Sequence, residues 1–108
     1  MELAIKYIRE QTKRGKLMYS DHAQHRMRER KIDYYKVEEA ILNGKPIEHQ
    51  DFGNDRKVLF QEETDGIPQC YVIIAAAYPE VVVVSVCRTW VEVWEIQSGL
   101  LKRKRGEK

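Results

Sequence analysis

A histidine and two arginines recur at steps of four in the stretch Tyr19-Ser-Asp-His22-Ala-Gln-His-Arg26-Met-Arg-Glu-Arg30-Lys-Ile32. On a helix each such step turns by only about 40°, so His22, Arg26 and Arg30 are expected to form one nearly straight row. Their types suit a phosphodiester. Arginine forks match phosphate oxygens in pairs and stay charged, whereas an imidazole, with an ordinary pKa of about 6.5, can take or give a proton. Such a set can cleave RNA without a metal: the imidazole takes the ribose 2′-hydroxyl proton, that oxygen attacks the adjacent phosphorus, and arginine stabilises the added charge. The same row also suits a non-catalytic module that holds RNA or a protein partner. A plainer arrangement has His22 bonded to its own helix cap or to a sheet backbone group, and Arg26 and Arg30 paired with Glu38, Glu39 or Asp33.

Other residues can join this chemistry or merely pack. Ser85, Cys87 and Thr89 share one face of an extended chain, so a hydroxyl there can touch substrate, although a core hydroxyl bonded to backbone is the commoner fate of such a serine. Trp90 and Trp94 can stack on bases but more simply cover one end of the core. His22-x-x-His25 can share a metal on a helix, with Cys70 and Cys87 as further ligands; neither cysteine sits in a Cys-x-x-Cys pair, and no metal or cofactor is expected. Reduced, buried thiols are the expected state of both cysteines.

The elements that must position these groups follow from periodicity. Leu3, Ala4, Tyr7, Ile8 and Gln11 fall on one side of a helix over residues 2–13 that ends near Gly15. Ser20 or Asp21 can cap a second helix with Ala23 and Met27 inside. Asp33 caps a third, in which Ile32 packs on Val37, and Val37, Ala40 and Ile41 form the buried stripe before Gly44 and Pro46. Extended segments follow at Ile47–Gln50, Lys57–Glu62, Gln69–Ala76 and Val81–Cys87, with turns at Gly53-Asn54-Asp55 and Asp65-Gly66. Val81–Cys87, apolar on both faces, is expected to be the central strand, covered on both sides. Thr89 and Glu92 have capping-box spacing, which tilts residues 89–98 toward a short helix despite their β-branched content. The expected fold is therefore α+β, with helices in the first half and an antiparallel sheet of four strands in the second, in one domain over 1–99, followed by a frayed basic tail over 100–108.

Hydrophobic residues make up 43% of the 108-residue chain and charged residues 33%, too apolar for disorder and too charged for a membrane protein. No apolar run approaches the roughly 20 residues of a membrane helix, and the N-terminus lacks a secretory pattern, so a cytoplasmic address is expected. Residues 1–31 carry nine Lys or Arg and four Asp or Glu, residues 32–99 five and twelve, and residues 100–108 five and one. A polyanion would thus meet the N-terminal helices, with Lys6, Arg9, Lys13, Arg14 and Lys16, and the tail.

The stretch His22-Ala-x-x-Arg26-Met-x-x-Arg30-x-Ile32, followed by Val37-Glu38-x-Ala40-Ile41-x-Asn43-Gly44-Lys45-x-Ile47-Glu48, resembles the domain-of-unknown-function 4258 family, over about residues 17–94. That family is similar to the RelE-like toxin ribonucleases, which implies their architecture, with N-terminal helices packed on one face of a four-stranded antiparallel sheet. The resemblance implies a metal-independent endoribonuclease, the toxin of a toxin–antitoxin pair, with RNA and a cognate antitoxin protein as partners. His22, Arg26 and Arg30 match the helix motif. The sheet-side candidates are Ser85 for catalysis and Arg88, Lys57 and Trp90 for RNA contact. The family's Thr-x-Tyr strand end and following tryptophan correspond to Ser85, Cys87 and Trp94, and Asp55-Arg56-Lys57-Val58 stands where the family has a Pro-rich stretch.

Overall fold

The computed structural model describes residues 2–52 and 55–104. The Gly53-Asn54 part of one expected turn and the tail from Arg105 onward lie outside them. Three helices come first, α1 (Glu2–Lys13), α2 (Asp21–Arg30) and α3 (Tyr34–Asn43), with a short strand β1 (Leu17–Tyr19) between the first two. Six strands follow: β2 (Lys45–Phe52), β3 (Asp55–Gln61), β4 (Cys70–Ala77), β5 (Glu80–Arg88), β6 (Trp94–Gln97) and β7 (Leu100–Arg103).

The caps are the expected ones. Ser20 accepts from the Ala23 N–H at the start of α2, and Asp33 accepts from the Lys36 N–H at the start of α3. Ala23, Met27, Val37, Ala40 and Ile41 are all buried against Val58, Phe60, Val72, Ile74, Val81, Val83 and Val86 of the sheet. Burying each large aliphatic side chain of this set stabilises the fold by about 1.5–3 kcal/mol. The stripe of α1 is rotated from the expected one: Ala4, Ile8 and Thr12 are buried, while Leu3 is 81% exposed. Arg9 is drawn inward, donating to the carbonyls of Ile41 (2.8 Å) and Gly44 (3.0 Å) at the end of α3, so it serves as a helix C-cap and not as part of a solvated basic face.

The sheet corrects the expected architecture. It has five strands in the order β1-β5-β4-β3-β2, and β1 runs parallel to β5 while the other pairs are antiparallel. Three residues, Leu-Met-Tyr, are too few to reveal a strand by alternation, which is why β1 is missing from the sequence reading. The central strand is β4. β5 lies beside it next to the short β1, and Val82 and Val84 on its second face are only half-buried.

The region from 89 onward also differs. In place of a helix there is one turn, with Val93 and Trp94 N–H groups on the Trp90 carbonyl, and then the hairpin β6–β7. Ser98 (φ 54°) and Gly99 (φ 79°) form its two-residue link, the pair of positive φ values that a type I′ turn requires. Leu100–Arg103, expected as the start of the frayed tail, are instead β7. The hairpin covers the sheet face opposite the helices, where Trp94 and Leu101 pack on Leu59 with Ile47, Tyr71 and Ile73 around them. Arg103 forks onto Glu48 at 2.8 and 2.9 Å and lies 4.7 Å over the Trp94 ring, and the Gln61 amide bonds both Gly99 and Leu101.

A buried acid closes the β3–β4 connection. Glu62 accepts from the Gln69 N–H and from Lys36 Nζ at 3.0 Å. Burial pushes its carboxyl up, but those two partners more than offset the effect and hold it below the usual carboxylate range. A depressed folded pKa means stabilisation that is present at neutral pH and lost as the pH falls through that value. Glu62→Gln is expected to lower stability by about 1 kcal/mol at pH 7, the open Lys36 side screening the pair. In urea titrations the difference from wild type should shrink in acid; a gap independent of pH would contradict this assignment.

Candidate functional site at the open edge of β5

β1 pairs with β5 only through Leu17–Tyr19 against Val81–Val83, which leaves the outer edge of β5 without a strand neighbour among the described residues from Val84 onward. An unpaired, partly buried edge must find donors elsewhere. Here α2 supplies them. The Ser20 N–H bonds the Val83 carbonyl at 3.1 Å, Ser20 Oγ donates to the Val84 carbonyl at 3.0 Å, and Arg30 donates to the Val86 carbonyl. β5 also carries a bulge, since Ile73 pairs with Ser85 and Ile74 with Val83, leaving Val84 as the extra residue. Between the Ser20 and Arg30 contacts, His22 Nε2 lies 3.1 Å from Ser85 Oγ.

The three residues of the row therefore have three fates. His22 is exposed, with Ser85 as the partner of its Nε2. Arg26, one turn on, pairs with Glu29 at 2.8 Å, and this guanidinium is what chiefly lowers the Glu29 carboxyl. Arg30 is half-buried and spends a donor on the sheet. Two steps of about 40° carry the row roughly 80° around the helix, from the exposed His22 to the half-buried Arg30; both of these reach β5, and Arg26 between them does not. None of the expected acidic partners on α3 takes part; the acid is Glu29, from α2 itself, which also meets His25 at 3.4 Å. Arg30→Ala would leave the Val86 carbonyl unsatisfied, at an expected cost of about 1–3 kcal/mol in urea denaturation. Arg26→Ala should leave the midpoint nearly unchanged, and equal losses for the two would contradict these roles.

Ser85 is buried and bonds a side chain, not backbone. Cys87 Sγ lies 3.7 Å from Ser85 Oγ, an adjunct that sequence reading had placed only as a neighbour on the same face. Both cysteines are free, and burial followed by the nearby Glu62 carboxylate pushes the Cys70 thiol up to about 11. Ser20 is the residue sequence reasoning missed at this edge: its cap signal was legible, its second bond to β5 was not. The sheet-side RNA candidates are dispersed. Arg88 is exposed at the end of β5 and Trp90 is 58% exposed just beyond it, while Trp94 is buried under the hairpin. Lys57 stands on β3 in the row of Ala75 and Val82, a different row from Leu59, Ile73 and Ser85. Thr89 Oγ1 is buried without a partner. Among the described residues no group of three or more His, Cys, Asp or Glu is placed to hold a metal, and no helix is long and apolar enough to cross a membrane.

Residues 19–89 match the family model described as a domain of unknown function, DUF4258. This stretch is more than half of the chain and contains α2, α3 and β5, so the protein belongs to that family. No curated protein and no solved structure matches it.

Proposed function

We propose that the protein is a metal-independent endoribonuclease of RelE-like type, acting through His22 at the open edge of β5. The observation that carries this reading is the 3.1 Å contact between His22 Nε2 and the buried Ser85 hydroxyl. With Nε2–H donating to Ser85 Oγ, the lone pair of the ring falls on Nδ1, which has no partner among the described residues and serves as the base. Ser85 is then a positioning residue that sets tautomer and ring orientation, and Cys87 steadies its hydroxyl.

In the reaction, His22 takes the 2′-hydroxyl proton and the 2′ oxygen bonds to phosphorus. The bond from phosphorus to the 5′ oxygen breaks, and that oxygen leaves with a proton returned by the imidazolium. Arg26 contacts the phosphate by exchanging its exposed partner Glu29 for the substrate, an inexpensive exchange for a surface ion pair. Arg30 fixes α2 against the strand. The toxin role and a cognate antitoxin rest on the RelE likeness alone.

One observation favours the second reading, a non-catalytic RNA- or protein-binding module: both motif arginines already have internal partners. The two readings separate when purified protein is incubated with single-stranded RNA in chelator from pH 5 to pH 9. The enzyme yields fragments ending in 2′,3′-cyclic phosphate and beginning with 5′-hydroxyl. Intact RNA at every pH, with binding that weakens steeply as salt rises, defeats it in favour of the module.

A further inference from the structure

Arg28 of α2 and Lys31, the residue that caps its end, have no ion-pair or hydrogen-bond partner for their side chains among the described residues and lie on the helix flank opposite His22 and Arg26. They edge a cleft of about 300 Å³ between the end of α2 and the start of α3, which Met27, Ile32, Gln24 and Tyr34 also line. Tyr34 is 52% exposed, and its ring is held edge-on by Tyr19 at 4.7 Å and 82°. Lys31 is fixed in the left-handed region (φ 56°) by its N–H on the carbonyls of Met27 and Arg28, which anchors its backbone at the edge of the cleft. The Gln24 amide N–H₂ is turned to the Tyr19 carbonyl at 3.2 Å, which leaves its oxygen as an acceptor. Asp33 also lines the cleft, but its carboxylate accepts from the Lys36 N–H as the cap of α3.

An aromatic wall, an apolar floor, one amide and two cations against the single carboxylate of Asp33 together select a flat, polar ring that carries negative charge. A volume at the low end for small-molecule sites admits one such unit. We propose that this cleft is a nucleotide subsite, stacking one base of a single RNA strand on Tyr34 and taking its phosphate on Arg28 and Lys31. The proposal rests on the nucleic-acid reading above for the source of the ligand and is independent of cleavage.

The test is titration of the ¹⁵N-labelled protein with AMP, with inorganic phosphate and with a five-nucleotide single-stranded RNA. AMP is expected to shift the amides of Arg28, Lys31 and Tyr34 and leave that of His22 in place, and the RNA to bind the same residues more tightly. Tyr34→Ala should weaken AMP binding by about 5- to 150-fold, the range that loss of a base stack spans. Arg28→Glu, an exposed change that spares the core, should do the same, and His22→Ala should not. Shifts centred on His22, equal affinity for phosphate and AMP, or RNA no tighter than AMP would overturn the subsite. AMP in the cleft with no RNA cleavage keeps the subsite and rejects the enzyme; cleavage without AMP shifts in the cleft does the reverse.

Discussion

His22→Ala is expected to lower the rate of RNA cleavage by about 10² to 10⁴ while the protein stays folded, the range that general acid–base groups contribute. The fold should tolerate the change because the imidazole is exposed and the strand edge beside it is held independently by Ser20 and Arg30. What is lost is the proposed base, together with the hydrogen-bond partner of Ser85. Ser85→Ala should behave differently. It leaves the base in place but frees the ring, so the pH profile should shift while the fall in rate is smaller. A His22→Ala protein as active as wild type would remove the base from the account, whatever the fate of Ser85.

Gly44→Ala carries the largest expected effect on stability, and the cause is space, not backbone freedom. Gly44 has an ordinary φ of −77°, yet a β-carbon there would stand 2.0 Å from the Gln61 carbonyl oxygen and 2.4 Å from that of Ala40. Both neighbours are backbone, so neither can swing aside. The end of α3 would have to lift from β3, straining the Arg9 bonds to Ile41 and Gly44 and displacing Gln61, whose side chain ties down β7. A loss of about 3 kcal/mol, the upper part of the overpacking range, is expected in urea denaturation. Gly66→Ala, whose nearest atom would be Thr64 Oγ1 at 4.0 Å, is the control and should be nearly neutral. Similar stabilities for the two variants would contradict the close-approach argument.

The helices were legible because caps and stripes are local. Ser20, Asp33, Gly44 and the Ala23–Met27 and Val37–Ala40–Ile41 stripes each act within one or two turns, and the structure puts them where the spacing did. The sheet was legible only as a set of segments. The place of the parallel β1 in its order depends on pairings between residues more than sixty positions apart, such as Met18 with Val82, that leave no trace in a three-residue strand. The hairpin β6–β7 was obscured for another reason: Thr89 and Glu92 mimic a capping box, and the charged run after Leu101 hides the alternation of a strand whose one buried contact is Leu101 itself. Ser98-Gly99, a turn dipeptide with alternation before it, was the available signal.

The same contrast holds at the site. Residue types and spacing single out His22, Arg26 and Arg30, but a helical net treats the row as straight and cannot say which member the sheet will claim. That depends on where β1 stops, because the exposed carbonyls of β5 draw in Arg30 and leave His22 at the surface.

The most direct measurement incubates wild-type protein with one RNA oligonucleotide and with its 2′-O-methyl counterpart, both in chelator. If the imidazole works by taking the 2′ proton, the unmodified strand is cut and the methylated strand is bound but left whole. Cutting both strands, or neither, would contradict a histidine base poised at the edge of the fifth strand.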